Sequence, residues 1–114
     1  RFPWGDTLPD PPRANLDGIA WGTRPITAEG RSALGCDDMA GQAWEWTASD
    51  FAPYPGFRAY PYEGYSQAWF DGEHRVLRGG SWATAAPMAP CTFRNWYHPF
   101  VRAIFAGFRC AADA

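Results

Sequence analysis

Apolar and polar positions alternate only in short bursts along these 114 residues, and no window sustains the 3.6-residue apolar spacing of an amphipathic helix. Residues 1–13 carry Pro3, Pro9, Pro11 and Pro12 and predict neither helix nor strand, because proline fixes φ and removes a donor. Residues 14–35, with NLDG and TAEGRSALG, read as turns around short extended pieces. The stretch DDMAGQAWEWTAS, Asp37–Ser49, predicts a compact aromatic unit. If it is extended, Trp44 and Trp46 share one face and Glu45 takes the other. Residues 50–65 form another loop, in which Pro53, Pro55 and Pro61 alternate with rings. A short strand is predicted at Arg75–Arg78, ended by Gly79 and Gly80. TFRNWYHP holds a second extended or turn region. AIFAGFRC, residues 103–110, gives a last strand broken by Gly107. A short helix around Ala86–Cys91 completes the pattern, with no internal repeat. The predicted class is α+β with little regular secondary structure, in which side chains and water must satisfy the loop backbone.

Composition agrees. Aromatic residues make up 18% of the chain, and 12 glycines stand beside 11 prolines. Many rings among many chain breakers imply a loop-rich domain packed through aromatic clusters. All ten basic residues are arginine, whose planar fork suits carbonyl and carboxylate networks. Arg78, Arg94 and Arg109 are expected to hold loops together in this way. Net charge is −2 without a basic run, which argues against nucleic-acid binding. No apolar stretch approaches the roughly 20 residues of a membrane-spanning helix. Cys36, Cys91 and Cys110 form no C-x-x-C pair, so no zinc site is expected. They read as three small buried thiols in a protein of a reducing, cytoplasmic compartment. The chain opens on RFPWGD, which reads as the middle of a surface segment and predicts a C-terminal fragment.

Three motifs carry a resemblance: GCDDMAGQAWEWTAS, RVLRGGSW and GFRCA, in this order over residues 35–111. Together with FPWGD and ANLDG they resemble the formylglycine-generating-enzyme, or sulfatase-modifying-factor, domain. The resemblance implies a C-type-lectin-like fold, with residues 1–114 as the C-terminal part of such a domain. The copper oxidases of that superfamily carry two cysteines shortly after the GGS motif, a soft-metal pair. Here that segment reads WATAAPMAPC, with Thr84 and Ala89 at those places and Cys91 out of register. This argues against formylglycine-generating-type oxidase chemistry.

A second branch fits better. PYEGYS, then RVLRGGSWAT, TFRNWYHP and IFAGFR look like the C-terminal domain of ergothioneine-biosynthesis sulfoxide synthases (EgtB-like). The resemblance implies a non-haem Fe(II), O2-dependent enzyme joining cysteine or γ-glutamyl-cysteine to trimethylhistidine (hercynine). Its iron ligands are three histidines of an upstream DinB-like domain, outside this chain. By position, Tyr62 matches the family's catalytic tyrosine, a proton donor in the sense of general acid work. Tyr65, Asn95 and Trp96 match substrate-contacting positions, and aromatic faces suit a quaternary ammonium group. Tyr97 and Val101 depart from the aspartate and arginine that contact the thiol donor; Tyr97, and Arg102 one step on, are expected to contact substrate in their place. The WEW loop of this fold often carries Ca2+, which implies a calcium site at Glu45 or, instead, an arginine salt bridge. Of the two histidines, His74 reads as a solvated turn residue and His98 as structural. The competing reading from another class is a non-enzymatic lectin-like binding module, which has no need of a tyrosine at position 62.

Overall fold

The computed structural model describes residues 1–10 and 13–112. Four short strands form one sheet: β1 Trp44–Asp50, β2 Arg75–Arg78, β3 Asn95–Tyr97 and β4 Ala106–Gly107. Their order is β3-β2-β1-β4. β2 pairs antiparallel with β1 and with β3, while β4 runs parallel to β1. The sheet register shifts between Trp46 and Asp50, which bends the long strand where it meets the next loop. Everything between the strands is loop, apart from two 3-10 turns at Gln67–Trp69 and Ala86–Met88.

β2 occupies the limits expected from its sequence. Val76 and Leu77 are buried at its centre. It stops at Gly79 and Gly80, both with positive φ. A Cβ on Gly79 would stand 2.7 Å from the Met39 carbonyl oxygen, so only glycine admits that close approach. In return the Gly79 carbonyl accepts the Gly41 N–H at 2.9 Å. The helix expected around Ala86–Cys91 shortens to a single 3-10 turn, Ala86–Met88. Pro90 explains the stop: it lacks an N–H, and it disfavours the helical region for Ala89 before it.

The loops are tied by specific bonds. Asp17 accepts the Ala86 N–H at 2.9 Å and donates its own N–H to Thr84. Trp82 bridges Gly18 and Gln42 through its backbone. Leu16, Ala14 and Ala89 pack together in this seam, with Trp4 and Ala86 against them. Arginine forks supply the rest. Arg78 Nη1 donates to the carbonyls of Cys91 and Phe93, and Arg94 Nη1 to that of Ala52.

One expectation fails here. Cys36, Cys91 and Cys110 are all exposed. For the first two, the backbone is what is held: Cys36 exchanges bonds with Ser32, and the Cys91 carbonyl takes Arg78. Their thiols therefore project outward from anchored loops. Among the described residues, no helix is long and apolar enough to cross a membrane.

Candidate functional site

The β2–β3 register decides what the site contains. Arg75 faces Tyr97, Val76 faces Trp96, and Leu77 faces Asn95. One step further places His74 opposite His98, and their rings stand 3.8 Å apart, centre to centre. Cross-strand neighbours of this kind stabilise a sheet through direct side-chain contact. His74 is 5% exposed, so its expected role as a solvated turn residue is corrected.

The burial follows from the turn before it. Asp71 accepts the backbone N–H groups of Glu73 and His74, which folds the chain back and turns the imidazole inward. The same carboxylate meets His74 Nδ1 at 2.9 and 3.0 Å. The bond to His74, aided by the Glu73 N–H, holds the Asp71 carboxyl down at about 2. Trp69, delivered by the Gln67–Trp69 turn, stands edge-on to the His74 ring at 5.3 Å.

Trp69, His74, Asn95, Trp96 and Tyr97 line a cavity of about 260 Å³. Three of the residues expected to contact substrate, Asn95, Trp96 and Tyr97, are thus brought together. Trp96 stacks on Phe51 with centroids 4.2 Å apart and planes 7° apart. Phe51 in turn lies 4.8 Å beneath the Arg94 guanidinium. One face of Trp96 is therefore fixed as wall. Asn95 Oδ1 accepts the Trp96 N–H at 3.0 Å, which orients its amide. An aromatic pocket with an oriented amide and an oriented imidazole suits a small planar or cationic nitrogen-bearing ligand.

Tyr62 and Tyr65 form a separate pair. Their rings meet edge to face at 5.6 Å, and the Tyr65 N–H closes a turn onto the Tyr62 carbonyl. Tyr62 is 63% exposed and neither ring lines the cavity. The loop that carries them runs directly into the turn that places Trp69. Arg102 is exposed and also stands outside the cavity lining.

A larger cavity, about 560 Å³, is lined by Asp38, Gln42, Trp44, Glu45, Phe108 and Arg109 among others. None of the residues expected to contact substrate lines it. Glu45, expected to hold calcium, gives both carboxylate oxygens to Arg109, at 2.8 and 2.5 Å. The same guanidinium reaches the carbonyls of Asp37 and Asp38. A cation already fills this donor set, so as arranged it does not fit calcium. Among the described residues, no group of three His, Cys, Asp or Glu side chains could hold a metal ion.

A family model, the sulfatase-modifying factor enzyme 1-like domain, matches residues 1–114. The chain belongs to that family. Its fold is shared with Treponema denticola variable protein 1, at a TM-score of 0.66 and 28% identity over 85% of this chain and 34% of that one. Hercynine oxygenase of Mycolicibacterium thermoresistibile is 50% identical over 99% of this chain. Ergothioneine biosynthesis protein 1 of Neurospora crassa is 34% identical over 95%. This chain spans only 27% of the former's length and 12% of the latter's. Within the family, the curled sheet and arginine-tied loops are the expected low-regularity architecture. What sequence reasoning missed is the wall contributed by Trp69 and the His74–His98 pair. Both neighbouring strands are legible in the sequence, but only their register brings the two histidines together.

Proposed function

We propose that this domain binds substrate and supplies the catalytic tyrosine in a non-haem iron, O2-dependent sulfoxide synthase of ergothioneine biosynthesis, working in the cytoplasm. The enzyme joins a cysteine-type thiol, either cysteine or γ-glutamyl-cysteine, to the imidazole of hercynine. In that reaction a ring C–H and a thiol S–H are lost and a C–S bond forms. One oxygen of O2 ends on sulfur and the other leaves as water with the two hydrogens.

The observation that carries the reading is the cavity in which Asn95 and Trp96 meet against fixed aromatic walls. The 50% identity to a hercynine oxygenase across nearly the whole chain supports it. Iron, held by residues outside this stretch, would supply the activation of O2. The chain's own part is to bind, orient and deliver a proton. Trp96 offers an aromatic surface to the trimethylammonium group, and Asn95 offers an oriented amide. Tyr97 takes a position where relatives of this branch place a charged contact to the thiol donor, and Arg102 remains nearby in sequence as a replacement cation. Tyr62, exposed beside Tyr65, is free to close over bound substrate and donate its phenolic proton.

The test is Tyr62→Phe in the intact enzyme, with hercynine, a cysteine-type thiol and O2. The expected result is a shift of product from sulfoxide toward oxidised thiol, read by mass spectrometry. An unchanged product ratio would remove Tyr62 from the chemistry.

A further inference from the structure

We propose that His74, oriented by Asp71, is a further substrate-binding residue of the Trp69–Trp96 cavity, accepting a hydrogen bond at Nε2 from an N–H group of a substrate. The inference rests on the sulfoxide-synthase reading above, since it concerns the same cavity.

The argument begins with protons. Asp71 is held ionised by two backbone N–H groups and by His74 itself. An ionised carboxylate 2.9 Å from Nδ1 accepts and cannot donate, so Nδ1 carries the proton. With Nδ1 committed to Asp71, Nε2 is the ring nitrogen left for a ligand, and it accepts when the ring carries a single proton. No hydrogen bond to Nε2 is made among the described residues, and Nε2 is not among their sealed, unpartnered polar atoms. Its ring is nevertheless buried and lines the cavity. An acceptor of fixed direction that opens onto the cavity is available to a ligand N–H.

The surroundings keep the ring in place. Trp69 packs on its edge and His98 against its face. Phe100 stacks on His98 from beyond at 5.0 Å. The charged groups facing the pair are Asp71 and Glu73, whose carboxylate lies 4.0 Å from His98 Nδ1. The opposite side of the cavity offers Asn95 and aromatic rings. A ligand N–H entering there meets His74 as the acceptor of defined direction. Two substrates carry such a group: the imidazole N–H of hercynine and the α-ammonium of a cysteine-type thiol.

Three variants of the intact enzyme separate the possibilities. His74→Phe keeps a ring and removes both nitrogens. His74→Asn keeps an amide near Asp71 but does not reach the cavity. His74→Gln carries an acceptor out to the place of Nε2. Loss of one hydrogen bond corresponds to roughly a tenfold weakening. The expected result is a KM raised about tenfold for one substrate in His74→Phe and His74→Asn, with kcat within about threefold. His74→Gln should recover most of the loss, which a purely structural role would not produce. A rise confined to hercynine assigns its ring N–H; a rise confined to the thiol assigns its ammonium group. Unchanged KM values for both substrates would overturn the inference. So would a His74→Gln variant as impaired as His74→Phe, or a joint fall of kcat and melting temperature in all three. If the wild-type enzyme forms no C–S product from hercynine and either thiol, the parent reading itself falls and takes this one with it.

Discussion

Two regions of this domain are built on opposite rules. Around β1, β4 and the GGSW loop, cations meet oxygen: Arg78 and Arg109 spend their N–H groups on carbonyls and on Glu45. Around β3 and the Gln67–Trp69 turn, rings meet rings, and hydrogen-bonding capacity on Asn95 and His74 is left for other partners. Arg94 joins the two regions, donating to the Ala52 carbonyl while its plane covers Phe51 and Tyr54. The contrast teaches a division of labour. A chain with so little regular structure must satisfy its loop backbone somehow. Arginine forks do it from the scaffold side, so the wall can keep polar atoms for a ligand.

The harshest way to break the contrast is to attack what both regions share. Leu77 is fully buried at the centre of β2, between β1 and β3. Leu77→Ala should cost about 2–5 kcal/mol, read as a lower denaturation midpoint of the intact protein. If the cost is below about 1 kcal/mol, the two regions do not depend on a common core strand. A smaller blow falls on the scaffold alone. Arg109→Lys keeps the charge but loses the fork that spans Glu45 and the Asp37 and Asp38 carbonyls. Because that site is partly exposed, about 1 kcal/mol of stability should go, with the KM for each substrate unchanged. A substrate KM that moves with Arg109 would mean that the scaffold and the wall are one unit.

Much of the scaffold was legible in the sequence, and the reason is local. The limits of β2 follow from RVLR and the glycine pair behind it, and the arginine latches follow from donors placed among glycines and prolines. The family follows from motifs whose order survives over the whole chain. The wall was less legible because it depends on register. Nothing within HRVLR says that His74 is buried; the partner strand with His98 and the turn with Trp69 bury it. The cysteines misled for the converse reason, since residue type favours burial while backbone bonds at Ser32 and Arg78 set two of their loops with the thiol outward. Asn95, Trp96 and Tyr97 share one cavity because they are consecutive on β3. Tyr62 and Tyr65 pair with each other outside the lining of that cavity, in a way that motif spacing does not convey.

Asp71 offers the mildest and most discriminating test, because it acts by both rules at once. It caps backbone N–H groups as the scaffold residues do, and it orients His74 as part of the wall. Its carboxyl is held at about 2, below the ordinary 3.8, chiefly by the bond to His74. A carboxyl depressed in the folded state favours folding most where it is ionised in both states, above pH 3.8, and that contribution is lost as pH falls toward about 2. Asp71→Asn removes this titration while keeping an acceptor for the Glu73 and His74 N–H groups. The wild-type protein should therefore lose more stability than the variant as acid is added across that window, a small difference measured as diverging denaturation midpoints. Parallel acid limbs would mean that the charge of Asp71 is not what holds the imidazole, leaving the turn and the packing of Trp69 to orient it.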